Sequence, residues 1–240
     1  MKSDRVTARI AAALFITATG ASLVSTALLN PVLSGPDYLD KTLSHQDRVI
    51  AGAFFLLLAA FASASIAISL YPVLRRHAEG LALGSVCFRV MEGVLYLVSA
   101  IAALLLVTLS QEFAKAGSPA SSYLQTAGTL LRALRDQASL TGVLAFYLGA
   151  LMYYAIFFRS RLIPRWLSGW GLAGAGLGLI AGVLVLFRVF GFMSSPQVVL
   201  NLPIGVNEIV LAVWLVLVGF RSAPVAPSPE ARRHATAPGR

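Results

Sequence analysis

The sequence predicts an all-helical fold, a polytopic membrane bundle of six transmembrane helices with an amphipathic interfacial helix between the third and fourth. Three observations predict it. Hydrophobic residues make up 58% of the chain and charged residues 12%, about half the charge of an ordinary soluble protein. The apolar residues are gathered into blocks of about 20, the length that crosses ~30 Å of hydrocarbon at about 1.5 Å per residue. The basic residues behind the formal charge of +9 sit between those blocks. There they read as topology signals and contacts with anionic headgroups, so the lipid bilayer is the expected partner and nucleic acid is not. Cys87 is the one cysteine and lies in an apolar block, so no intramolecular disulfide can form.

The first block, 10–29, follows Lys2, Arg5 and Arg9. Its basic flank resembles a secretory signal, but the apolar run continues past a cleavage point at Gly20 and further spans follow, so it is expected to stay as a first membrane helix. Asn30, Pro31, Gly35 and Pro36 are expected to end it. In the next loop Asp37, Asp40 and Asp47 read as solvated caps, and Ser44 with Asp47 resembles a helix-starting box. The second span, 49–71, carries Ala59, Ala60, Ala62, Ser63, Ala64 and Ser65, small side chains that let helices approach closely. Pro72 stops or kinks it, and Arg75, Arg76 and His77 form a basic turn into the third span, 81–109.

The longest internal connection, 111–139, is not featureless. Ala127, Leu130, Leu131, Leu134 and Ala138 recur at helical spacing opposite Arg132, Arg135 and Asp136, the pattern of an interfacial helix or of an extension of the next span. The fourth span, 140–158, is rich in aromatic residues, and Arg159, Arg161 and Arg165 beside Trp166 mark a headgroup boundary. In the fifth, 168–190, Gly174, Gly178 and Gly182 recur every fourth residue and offer a groove to another backbone. Gly169, Gly171 and Gly174 also spell GxGxxG, but no strand precedes them to aim a loop at a pyrophosphate, so they read as packing residues. The sixth span, 198–220, contains Pro203 and aligns Asn201, Gly205, Glu208 and Ala212 along one face. Residues 1–221 therefore read as one transmembrane domain. The tail, 222–240, is rich in Pro, Ala and Arg without apolar periodicity and is expected to be disordered.

Alternating the connections across the membrane sorts the basic residues unequally. Lys2, Arg5, Arg9, Arg75, Arg76, Arg159, Arg161, Arg165, Arg221, Arg232, Arg233 and Arg240 share the side of both termini; Lys41, Arg48, Lys115, Arg132, Arg135 and Arg188 take the other. The basic excess belongs in the cytoplasm, so both termini are expected there, in a multi-pass arrangement.

Chemistry concentrates in the third span. Ser85, Arg89, Glu92, Tyr96 and Ser99 are spaced four, three, four and three apart, which places them in one stripe on a helix. A charge at mid-bilayer costs about 2.5–3.5 kcal/mol on insertion scales, so the stripe must face protein or a water-filled cavity. Arg89, Glu92 and Glu208 are the ionisable groups at membrane depth. Their simplest arrangement is an ion-pair cluster between the third and sixth helices, with Tyr96 and Asn207 satisfying the remaining hydrogen bonds, and Arg89 and Glu92 can also pair along one helix at three-residue spacing. Two carboxylates against one guanidinium leave one negative charge over, as in a proton- or cation-binding site on a transport path. The rival reading is a structural cluster that specifies which helices pair. Enzyme chemistry has less behind it: there is no GxSxG, HExxH or P-loop, and His45, His77 and His234 fall on opposite predicted sides, so neither a metal nor a cofactor is implied. An intramembrane Ser, Asp or Glu enzyme is the third class, because such sites are assembled in space. Oligomeric state leaves no mark in the sequence.

Three segments together resemble a known family. Phe88 and Arg89 in the third span are the first, and the turn 158–167, reading Phe-Arg-Ser-Arg-Leu-Ile-Pro-Arg-Trp-Leu before its glycine-rich helix, is the second. The third is 207–214, Asn-Glu-Ile-Val-Leu-Ala-Val-Trp. They resemble small bacterial integral-membrane proteins grouped as domain of unknown function 4386 (DUF4386), over nearly the whole chain to about Phe220. The resemblance implies a polytopic bundle in the bacterial inner membrane and no particular activity.

Overall fold

A computed structural model describes residues 2–116 and 120–221. The tail expected to be disordered and the start of the 111–139 connection around Ser118 and Pro119 lie outside the described residues. Seven helices follow one another: α1 (Lys2–Leu33), α2 (Tyr38–Ser44), α3 (Gln46–Leu74), α4 (Glu79–Lys115), α5 (Ala120–Ser160), α6 (Arg165–Leu186) and α7 (Ser195–Leu217). All but the short α2 are long and apolar enough to cross a bilayer, and no strand occurs among the described residues. Helix is the economical solution in lipid, because it satisfies its own backbone and each unmet polar group there costs several kcal/mol. The chain is a multi-pass membrane protein.

Several boundaries differ from expectation. Pro31 and Pro72 lie inside their helices and not beyond them. Ser44 does not start a helix: it closes α2, its hydroxyl donating to the Asp40 carbonyl (2.9 Å), and α3 follows from Gln46 without a side-chain cap. The amphipathic segment is not a separate interfacial helix but the first half of α5, which runs unbroken for 41 residues. No proline separates it from the fourth span, so nothing interrupts the backbone ladder. The fifth span stops at Leu186, short of the expected 190; Arg188 and Met193 then adopt φ of 59° and 60° and turn the chain into α7.

The six long helices pack as a closed ring. Each touches the next in order, α1 on α3, α3 on α4, α4 on α5, α5 on α6 and α6 on α7, and α7 returns to α1. One apolar core fills the end of the ring that carries the termini, with Phe15, Ile66, Leu70, Tyr153, Phe157 and Leu211 at its centre. A second lies at the other end between α1, α2, α3 and α4, with Leu131 of α5 against it, around Leu29, Leu33, Tyr38, Val49 and Leu106. The space bounded by α1, α5 and α7 at that end is covered by neither.

Two close approaches set the geometry on either side of that space. At Gly93 a Cβ would lie 3.0 Å from the Ala60 carbonyl oxygen, so glycine lets α4 settle against the small-residue face of α3. At Gly174 it would lie 2.9 Å from the Ile204 backbone nitrogen, which brings α6 against α7. The other members of the glycine row meet side chains: Gly178 receives the ring of Tyr147, and Gly182 receives Leu144, both from α5.

Candidate functional site

A cavity of about 440 Å³ occupies the uncovered space. The polar side chains on its walls include Arg89, Glu92 and Tyr96 from α4, Ser63 from α3, Thr19 and further hydroxyls from α1, and Gln197, Asn201 and Glu208 from α7. From α5 come Arg135, Ser139, Phe146 and Tyr147. The volume lies within the range of small-molecule sites, about 300–1,000 Å³.

Arg89 is held by its own helix and by α5. Its Nη1 is 3.1 Å from Glu92 Oε2, an i,i+3 pair with side chains 2% and 5% exposed. Its Cζ stands 4.9 Å from the centroid of the Phe146 ring, and its stem crosses Gly149, where a Cβ would press on Cγ at 3.2 Å. Glu92 Oε2 also accepts a hydrogen bond from Ser63 Oγ at 2.7 Å, which ties α4 to α3 just beside the Gly93 approach. The guanidinium is not fully satisfied: its Nε is buried without a hydrogen-bond partner. Arg135, further along the wall, shares that feature; its Nη1 donates to Asp136 (2.8 Å) and its Nη2 to Asn30 (3.4 Å), while Nε has no partner.

Glu208 stands apart from this pair. Its Oε2 accepts a hydrogen bond from Thr19 Oγ1 at 3.1 Å, a link from α7 to α1, and among the described residues it makes no ion pair. Of the two expected arrangements, the pairing along one helix forms, Arg89 with Glu92 within α4; the salt-bridge cluster between the third and sixth helices is corrected, since α4 and α7 make at most glancing contact while sharing the cavity. Asn207 is corrected too. It faces α6 and α5, accepting from the Tyr154 hydroxyl and donating from Nδ2 to the Leu167 carbonyl at 3.0 Å, and it does not line the cavity. Tyr96 does line the cavity, its ring seated over Gly142. Ser99 extends the α4 stripe by pairing with the Ser139 hydroxyl at 2.8 Å.

Several members of the site were not singled out from sequence. Thr19 belongs to a run of hydroxyls in the first span, Thr17, Thr19, Ser22, Ser25 and Thr26, whose concentration in an apolar helix was the available signal. Ser63 was read only as small. Tyr147 completes the α5 wall, its hydroxyl donating to Asn201 Oδ1 at 2.8 Å across to α7.

Chemically the site offers one buried carboxylate outside any ion pair among the described residues, with Arg89 across the cavity, a close Arg89–Glu92 pair, and aromatic rings on the same cavity. Compared with known proteins, residues 10–219 match the model of one family, described as "Domain of unknown function (DUF4386)". No curated protein and no solved structure matches the chain.

Proposed function

We propose, for a chain that belongs to the DUF4386 family and so inherits no assigned activity, that its cavity binds a proton or small ligand at Glu208 as part of a transport-related function. One observation carries the reading: the cavity reaches the intramembrane charges, and Glu208 meets it with a carboxylate that forms no ion pair among the described residues, Arg89 acting on it only across the cavity. A sealed and fully paired cluster would have argued the opposite. The rival, structural reading has support on one half of the site, since the Arg89–Glu92 pair and its Ser63 bond join α4 to α3. The cluster is thus divided: Arg89 and Glu92 hold the helices, and Glu208 binds.

We place the protein in the bacterial cytoplasmic membrane with both termini in the cytoplasm. Arg5, Arg9, Arg75, Arg76, Arg159, Arg161 and Arg165 all lie at the end of the ring that carries the termini, and support comes from the preference of basic residues for the cytoplasmic side.

The test asks whether water reaches Glu208. Gly205 lines the cavity and has nothing within 4 Å of an added Cβ, so a Gly205→Cys variant in a Cys87→Ser background accommodates the new side chain. A membrane-impermeant cationic thiol reagent is expected to label it from the side of the α6–α7 connection, and more slowly when Glu208→Gln removes the attracting charge. Labelling only after denaturation, together with no proton or ion flux in reconstituted vesicles, would leave the structural role alone.

A further inference from the structure

We infer that the ligand is an amphiphilic organic cation, an apolar body with one positive head, which reaches Glu208 sideways from the lipid through a slot between α1 and α7. The inference rests on the reading of the cavity as a binding site and narrows it to a ligand class.

The position of the slot follows from the side chains on its rim. A residue that lines the cavity and is also exposed on the outside marks an opening. On α1 that residue is Leu23, 64% exposed; on α7 they are Leu202 and Val206, 54% and 45% exposed, with Val198 and Ile209 beyond them. All are apolar and lie along the outer faces of two spans, as expected for a path leading to acyl chains; Met193, which lines the cavity and is 40% exposed in the α6–α7 connection, marks the separate opening towards water. Towards the termini the two helices close: Ala8, Ala11, Ala12 and Phe15 belong to one core with Leu211, Ala212 and Leu215. The Thr19–Glu208 bond is the tie between α1 and α7 above that core, so the carboxylate sits at the inner end of the slot.

Charge and shape then select the ligand. Arg89 has Glu92 within ion-pair distance and Arg135 has Asp136, so Glu208, which Arg89 reaches only across the cavity, is the carboxylate on these walls left outside an ion pair among the described residues. Among the described residues Glu208 has one hydroxyl, Thr19, bonded to it, whereas a bare metal ion requires about six or more oxygens. An organic cation needs fewer. It gains from aromatic faces, and Tyr96 from α4 and Tyr147 from α5 line the same cavity. The remaining surface is apolar, suited to the body of such a molecule, which can partition into the bilayer before it meets the slot.

The experiment uses the full chain in detergent and two probes of matched shape and opposite charge, tetraphenylphosphonium and tetraphenylborate, in equilibrium dialysis. Tetraphenylphosphonium is expected to bind saturably, about tenfold or more weakly after Glu208→Gln and near wild-type strength after Glu208→Asp, because truncating a buried charge partner removes a large share of affinity. Narrowing the rim with Leu202→Trp is expected to slow its association. Equal or tighter binding of tetraphenylborate would overturn the ligand class, and this comparison needs only the wild-type chain. Unchanged affinity in a folded Glu208→Gln variant would overturn it as well. If neither probe binds while Gly205→Cys is still labelled from water, the class falls and the binding cavity stands. If that cysteine is also unreactive, both fall.

Discussion

Replacing Arg89 with Met should destabilise the fold by about 3–5 kcal/mol, because it leaves the Glu92 carboxylate buried without its cation. The magnitude follows from the contact. At 3.1 Å, with both side chains almost wholly buried, the pair attracts by about 5 kcal/mol at an effective dielectric of ~20. The Phe146 ring, 4.9 Å from the guanidinium carbon, adds up to about 2 kcal/mol for a desolvated cation. Against these stands the cost of desolvating both ions, which is why the pair as a whole contributes little net stability. What remains to Glu92 after the substitution is the single hydrogen bond from Ser63. Changing Arg89 and Glu92 together to Met should therefore cost far less than the single change, within about 2 kcal/mol of wild type. Reversible unfolding in mixed micelles, followed by far-ultraviolet circular dichroism over the four members of the cycle, measures the coupling. A single Arg89→Met cost below about 1 kcal/mol, or a double variant as unstable as the sum of the singles, would refute the division of the site into a holding pair and a binding carboxylate.

Three further outcomes are expected. Gly178→Ala places a methyl group into the Tyr147 ring and should cost about 1–3 kcal/mol by overpacking; Tyr147→Leu in the same background should return part of it, read as a shift in Tm. Arg161 turns the chain out of α5 at a φ of 57°, so Arg161→Gly should stabilise, or at worst leave unchanged, a position where an ordinary side chain is strained by about 1–2 kcal/mol; thermal unfolding with the Arg161→Ala variant as comparison decides it. A reporter active only in the cytoplasm, fused after Phe220, should be active, and one inserted in the loop between α6 and α7 should be silent; the reverse pattern would invert the orientation.

The stripe on the third span was legible in the sequence because two constraints agree there. Helical spacing fixes one face for Ser85, Arg89, Glu92, Tyr96 and Ser99, and lipid cannot accept that face, so the side chains turn inward, with Arg89, Glu92, Ser85 and Ser99 buried. What one helix turns towards is not written in its own periodicity. The pairing of Arg89 with Glu208 presumed that the third and sixth helices adjoin, whereas the ring sets two helices between them on either side, α5 and α6 on one and α3 and α1 on the other. Asn207 shows the limit within a single helix: successive residues point about 100° apart, so Asn207 and Glu208 cannot share a target, and Asn207 faces α6 while Glu208 faces the cavity. Thr19 and Ser63 escaped notice because a hydroxyl can bond back to its own helix and so is tolerated in lipid, which makes it a weak signal until a carboxylate is found opposite.

The location of the cavity follows from how the ring is joined. Five of its six contacts lie between helices consecutive in the ring, which their connections hold together; the sixth, α7 on α1, has no such connection. Its closure depends on side chains alone. At the end carrying the termini those side chains are Phe15, Leu211 and Leu215, large and buried, and the seam is shut. At the other end α1 offers Ser22 and Thr26, which cannot substitute for an apolar core, and α7 offers Gly205, with nothing near its missing side chain. The seam opens where its residues are too small or too polar to hold it. Glu208 and Thr19 sit at the boundary between the two halves, so a ligand that draws on that carboxylate competes with the bond linking α1 to α7, and binding is coupled to the width of the slot through one hydrogen bond.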